Sequence, residues 1–135
     1  MLSSEEPMKQ DSYILVVDDD IAILETIQDV LEFEGYRVKT LNDGTQILQQ
    51  IHTEPPGMIM LDLRMPVVDG RALYHELQAD AVAAQVPIVL VTADGSGPAY
   101  ASELGAASYL AKPFDLDTLF ACVECVMGAP KGIAP

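Results

Sequence analysis

Five short apolar runs alternate with five amphipathic stretches along the chain, and that order predicts an α/β domain: a five-stranded, mostly parallel sheet with helices on both faces, doubly wound as (βα)5. Two further observations support it. The runs are unbroken and rich in β-branched residues, as strands buried on both faces are. Four of the five also end in polar residues, so that polar groups gather at one edge of the sheet. Strands separated by single helices run parallel with right-handed crossovers. In such sheets the reactive edge is the carboxyl end, near the point where the strand order reverses.

The first dozen residues, "MLSSEEPMKQDS", are polar and acidic and read as a tail over 1–11. "YILVV" at 13–17 is the first strand and stops at Asp18, Asp19 and Asp20. Ile21, Leu24, Ile27, Val30 and Leu31 then recur at helical spacing; Asp20 can cap that helix and Gly35 can end it in the left-handed conformation. "YRVKT" at 36–40 is a strand, "DGTQILQQIHT" a helix, and "GMIML" at 57–61 a buried strand that runs into Asp62. After a turn through Met65 and Pro66, Asp69 can cap the helix "GRALYHELQAD". Pro87 opens the strand "PIVLVTA", and "AYASELGA" is a short helix closed by Gly105. "ASYLA" is the last strand, and "DLDTLFACVECVM" the last helix, capped by Asp115. The ending "MGAPKGIAP" has the Gly and Pro content of a linker, so 12–127 is expected to be the domain and 128–135 a tail or linker to an output domain.

With 135 residues the chain is long enough for one core. A formal charge of −14 with seven Lys and Arg argues against sequence-independent attraction to DNA, RNA or anionic lipid, which needs clustered basic residues. No apolar run approaches the roughly 20 residues of a membrane span, and the acidic start lacks the regions of a signal peptide. A cytoplasmic location is the expectation. Cys122 and Cys125 form a C-x-x-C inside a helical stretch, where a redox pair would precede a helix and a closed zinc site would need two more ligands. His52 and His75 lie in other segments, so two reduced helix cysteines are the expectation.

At the carboxyl edge the strands deliver Asp18 and Asp19, Asp62, Thr92 and Lys112. Three carboxylates without counter-charge repel one another, and a divalent cation relieves that. An all-oxygen donor set suits Mg²⁺, with Mn²⁺ as a substitute. Lys112 and Thr92 offer a positive charge and a hydroxyl donor, which suit the oxygens of a phosphoryl group. No G-x-x-x-x-G-K-[ST] is present to hold a nucleotide, so the phosphoryl group comes from elsewhere, and an aspartate can receive it as an acyl phosphate.

The ordered set "ILVVDDD", "MLDLRMPVVDG", "VTA" and "YLAKPF" strongly resembles the receiver domain of bacterial two-component response regulators over residues 12–127. The resemblance implies a flavodoxin-like fold and a switch, not a turnover enzyme, that catalyses only its own phosphorylation and dephosphorylation. It implies Asp62 as phosphoacceptor, taking phosphoryl from a sensor histidine kinase or a histidine phosphotransfer protein. It implies Asp19 as a direct Mg²⁺ ligand, Asp18 as one through water, and the Arg64 backbone carbonyl as another. Thr92 corresponds to the switch hydroxyl, Lys112 to the family's lysine, and Tyr109 to the aromatic that turns inward when Thr92 moves. The Lys112–Pro113 bond resembles the family's cis peptide.

The chain departs from the family between Thr92 and Lys112, where its spacing is shorter and Gly95, Gly97 and Pro98 replace the usual start of the fourth helix. Relatives form phosphorylation-dependent homodimers through charges on that face and the last helix. "LFACVECVM" carries only Glu124, which leaves an apolar partner surface as the alternative. Arg64 and Asp94 lie two residues after Asp62 and Thr92, positions that border the water path to the phosphate in the family. They are expected to pair across the mouth and set the phosphate lifetime. Two other readings compete. A binding-only pseudo-receiver would keep the fold without the chemistry. A haloacid-dehalogenase-type phosphatase would use the D-x-D of Asp18 and Asp20, but Ala22 stands where Thr or Val is wanted and the length leaves no room for a cap domain.

Overall fold

Asp20 and Asp69 decide where two of the helices begin, and the strands before them decide where the polar edge lies. The structure is a computed structural model that describes residues 12–64, 69–93 and 97–128. Its strands are β1 (Tyr13–Val17), β2 (Arg37–Leu41), β3 (Met58–Asp62), β4 (Ile88–Thr92) and β5 (Ser108–Ala111). Its α-helices are α1 (Ile21–Phe33), α2 (Ile47–Thr53), α3 (Gly70–Ala79), α4 (Gly97–Leu104) and α5 (Leu116–Met127).

The named strands pair in parallel and their order is β2-β1-β3-β4-β5, the flavodoxin-like arrangement. The order reverses between β1 and β3, so the crevice at their carboxyl ends is where such a sheet can hold a ligand. β1, β3 and β4 are buried along their whole length, which explains their continuous apolar runs. Side chains alternate between two cores. Ile14, Val16, Met60, Val91 and Leu110 face α1 and α5, packing on Leu24, Ile27, Leu31, Leu119 and Val123. Leu15, Val17, Ile59, Leu61 and Leu90 face the other layer, where Ile47 and Ile51 of α2 and Leu73 and Leu77 of α3 cover them.

The helix ends follow from local chemistry. The Asp20 carboxylate accepts from the N–H groups of Ala22 and Ile23, and Asp69 does the same for Arg71 and Ala72. Gly35, at φ 104°, occupies the left-handed region that ends α1.

The structure also corrects the sequence reading. Ile21 is 54% exposed: at the first position of α1 the helix has not yet reached the sheet, and Leu24, Ile27 and Leu31 make the contact instead. The helix expected from Asp43 opens as a 3-10 turn over Gly44–Gln46, because the Asp43 carboxylate accepts from both the N–H and the hydroxyl of Thr45. The helix expected to include Asp80 stops at Ala79, and the Asp80 carboxylate instead accepts from Val82 and Ala83 to start a second 3-10 turn, Ala83–Gln85. The helix expected from Ala99 begins at Gly97, which puts Pro98 in the first turn, where its missing N–H costs nothing. The expected tail 1–11 and residues 129–135 lie outside the described residues, as do Met65 and Pro66.

Candidate functional site

The crevice at the switch point is built by strand ends whose apolar parts anchor it. Each fully buried Leu or Met of β3 stabilises the fold by about 1.5–3 kcal/mol relative to exposure, and Met60 and Leu61 are both at 0% exposure. They hold in place a carboxylate that burial alone would disfavour: Asp62 closes β3 at 4% exposure. Asp18 follows β1 at 2% exposure, and its N–H donates to the Leu41 carbonyl, extending the sheet by one rung. Asp18, Asp62 and Lys112 each stand two residues beyond Val16, Met60 and Leu110, so all three continue the sheet face that packs on α1 and α5.

That placement brings the charges together. The Lys112 Nζ donates to Asp18 at 2.7 Å and to Asp62 at 3.2 Å. The other Asp18 oxygen accepts from the Asp20 N–H at 2.9 Å, and the other Asp62 oxygen from the Arg64 N–H at 2.8 Å. Asp19 is exposed, and one oxygen from each of Asp18, Asp19 and Asp62 lies within 4.8 Å of the others.

The electrostatics follow from burial. Desolvation pushes the Asp62 carboxyl above the usual carboxylate range, and the Asp18 charge adds to the push. The Arg64 N–H and Lys112 pull the other way without cancelling it. Burial alone would lower the Lys112 ammonium, yet its bond to Asp18 and the charges of both aspartates hold it above the ordinary lysine range. Lys112 is therefore a fixed cation across neutral pH, and Asp62 a carboxylate that gains from any further positive charge.

Thr92 ends β4 on the opposite parity, two residues beyond Leu90, at 1% exposure. Its hydroxyl is buried and has no hydrogen-bond partner among the described residues. An unsatisfied buried hydroxyl costs about 1–3 kcal/mol, a cost that an acceptor at this edge would relieve. The donor set thus fits a hard divalent cation, with all-oxygen ligands and spare negative charge, together with an oxyanion that Thr92 and Lys112 can grip.

The structure therefore brings together Asp18, Asp19, Asp62, Lys112 and Thr92. The remaining sequence candidates sit around them. Arg64 is exposed and forms an isolated antiparallel bridge with Asp69. Asp94 lies outside the described residues. Tyr109, on β5, is exposed, at 39%. The Lys112–Pro113 bond is cis, as the resemblance implied. Beside Lys112 an apolar groove of about 480 Å³ runs between α1 and the turn after β5, lined by Ile23, Thr26, Pro113 and Phe114 among others; the sequence reading had no signal for it, since these residues are distant in the chain.

The phosphatase reading and the redox or zinc reading of the cysteines weaken on this geometry. The Asp20 side chain is engaged as a helix cap and lies outside the acidic cluster, which takes one arm from the D-x-D. Cys122 and Cys125 are both free thiols on α5, and burial pushes the Cys122 thiol up, away from a reactive thiolate. His52 pairs with Asp80 at 2.9 Å, away from both cysteines in the chain. No helix among the described residues is long and apolar enough to cross a membrane.

Comparison with known proteins points the same way. Residues 14–124 match the family described as response regulator receiver domain. The chain is 35% identical over 120 residues to the response regulator MprA of Mycobacterium leprae, covering 87% of this chain and 52% of that protein. It spans about half the length of the curated relatives it matches. Among solved structures, the response regulator receiver protein from Burkholderia phymatum superposes with a TM-score of 0.74 at 30% identity, covering 90% of this chain and 99% of that one. The receiver domain of the sensor histidine kinase PA1611 from Pseudomonas aeruginosa, solved with a magnesium ion coordinated in its active-site cleft, gives 0.77 at 31% identity, covering 87% and 98%.

Proposed function

The chain belongs to the response regulator receiver domain family, and on that premise we propose that Asp62 accepts a phosphoryl group from a histidine kinase or a histidine phosphotransfer protein. The observation that carries this reading is the meeting at one sheet edge of the buried Asp62 carboxylate, held by Lys112, with Thr92 at the end of the neighbouring strand, its buried hydroxyl without a hydrogen-bond partner among the described residues.

Asp18, Asp19, Asp62 and the Arg64 carbonyl would hold Mg²⁺, Asp18 through water. The bound ion would neutralise charge on the phosphoryl oxygens and on the carboxylates. The chain's own groups do the rest. One Asp62 oxygen attacks phosphorus in line; the P–N bond to the donor imidazole breaks, and its electron pair stays on the ring nitrogen, which takes up a proton. The Arg64 N–H orients the attacking carboxylate, and Lys112 sits against its other oxygen, ready to meet a transferred phosphoryl oxygen. The Thr92 hydroxyl turns to donate to the phosphate, and Tyr109 follows inward from its exposed position, changing the face around β5 that a target reads. The apolar groove beside Lys112 suits apolar side chains of the phosphoryl donor. Arg64 and Asp94, two residues after Asp62 and Thr92 in the sequence, slow hydrolysis of the acyl phosphate; unchanged dephosphorylation in both Arg64→Ala and Asp94→Ala would sink that part. With the family's habits and an acidic surface, the domain works in the cytoplasm through protein contacts, including a homodimer formed on phosphorylation, and passes its signal to an output domain or target protein.

The reading is tested by phosphotransfer from each histidine kinase of the source genome. Transfer to the wild-type chain and none to Asp62→Asn is expected; labelling of both, or of neither by any kinase, refutes it.

A further inference from the structure

Gly70 is the first residue of α3, it is buried, and it is not among the glycines with positive φ. Its backbone therefore does not require glycine, and alanine is the better helix former. Space is what requires it. A Cβ at position 70 would lie 2.4 Å from the Leu63 carbonyl oxygen, 2.7 Å from the Leu63 Cα and 2.9 Å from the Leu63 carbonyl carbon. All three are backbone atoms, so no side chain can swing aside. Ordinary contact begins at 3.4 Å, so the peptide or the helix would have to move by roughly 1 Å.

The atoms in the way belong to the peptide that serves the site. The Leu63 carbonyl and the Arg64 N–H are opposite ends of one planar trans unit. The oxygen end faces Gly70; the hydrogen end donates to the Asp62 carboxylate at 2.8 Å. The Arg64–Asp69 bridge ties the same turn to the cap of α3. Pushing one end of a rigid unit displaces the other, and with it the following Arg64 carbonyl.

We infer that Gly70 is a positioning residue: by carrying no side chain it lets α3 press directly on the Leu63–Arg64 peptide, which fixes the Asp62 carboxylate and the Arg64 carbonyl for metal and phosphoryl group. The inference rests on the reading of Asp62 and Arg64 given above. Gly57 provides a matched control, because a Cβ there would also clash, at 2.7 Å with the Met127 sulfur, but at the far end of β3 and against a flexible side chain.

The test compares wild type, Gly70→Ala and Gly57→Ala. Hydrogen exchange of the Arg64 amide is measured by NMR in metal-free protein, and Mg²⁺ affinity by calorimetric titration with the metal alone. Gly70→Ala is expected to speed Arg64 exchange beyond any change in global stability and to weaken Mg²⁺ binding about 10-fold or more. Gly57→Ala is expected to lose stability and keep both site readouts. If Gly70→Ala is poorly folded, all three proteins are compared in trimethylamine N-oxide, which favours the folded state. Retention of Arg64 protection and Mg²⁺ affinity in Gly70→Ala, or equal losses in Gly57→Ala, overturns the inference. Should none of the three bind Mg²⁺, the metal reading fails, and the exchange comparison alone decides for or against Gly70.

Discussion

Replacing Lys112 by methionine keeps an apolar stem in the crevice and deletes a cation that touches both buried aspartates. Asp18 and Asp62 are then left buried side by side without the Lys112 charge. Breaking a buried ion pair from one side costs about 3–5 kcal/mol, and the lower end applies here because the Lys112 side chain keeps 19% of its surface in water. A loss of about 3 kcal/mol lowers Tm by roughly 10 °C in a domain of this size. The sign with pH is fixed by the two groups. Lys112 is held above the ordinary lysine range, so its contribution is complete below that range and fades only as pH rises through its folded pKa. On acidification the gap between variant and wild type narrows for another reason, and from a higher pH than an ordinary aspartate would give, because protonation of Asp62, whose folded pKa is raised, removes the charge that Lys112 neutralised. Mg²⁺ supplies the missing charge, so it should raise the melting temperature of Lys112→Met more than that of wild type. Circular-dichroism melts at about pH 7 and about pH 4, with and without Mg²⁺, read all of this. A metal-free variant as stable as wild type at neutral pH, or equal stabilisation of both by Mg²⁺, refutes the reasoning.

Thr92→Val removes a buried hydroxyl that has no partner among the described residues, so the unphosphorylated variant should gain about 1 kcal/mol in chemical denaturation while phosphorylation no longer shifts the NMR signals of the Tyr109 ring. Loss of stability would mean that the hydroxyl is satisfied in solution. Asp20→Ala should cost about 1 kcal/mol through the lost cap and leave Mg²⁺ affinity unchanged; a collapse of metal binding would return the D-x-D reading to contention. Mg²⁺ affinity itself should fall on acidification by up to about tenfold per pH unit as the proton competes for Asp62. Because the Asp62 carboxyl sits above the usual range, the fall should begin at a higher pH than an ordinary aspartate gives, and a plateau reaching down to that ordinary range would contradict the burial argument.

Much of this was legible in the chain because the strands advertise themselves. Runs such as "YILVV" and "MIML" are apolar at every position, since both faces of a central parallel strand are covered, and each stops at an acid because the sheet ends there. The caps Asp20, Asp69 and Asp115 were readable for the same local reason. What escaped depends on distance in space. Ile21 fits the helical period but faces solvent, because periodicity does not say where along its length a helix meets the sheet. The 3-10 turns at Gly44 and Ala83 come from carboxylates that compete for backbone N–H groups, a contest whose outcome propensity does not settle. That the Thr92 hydroxyl lacks a partner among the described residues is a property of its surroundings in space. Gly70 reads in the sequence as an ordinary residue after a cap; only the position of the Leu63 carbonyl shows that a methyl group would not fit.

The central claim is that Asp62 is the nucleophile, and the most direct measurement traps its acyl phosphate. The chain is incubated with acetyl phosphate and Mg²⁺, reduced with borohydride, which converts an aspartyl phosphate to homoserine, and mapped by peptide mass spectrometry. Homoserine at position 62, dependent on Mg²⁺ and absent from Asp62→Asn, is the predicted result. No trapped residue, or one at Asp18 that survives Asp62→Asn, would contradict the account.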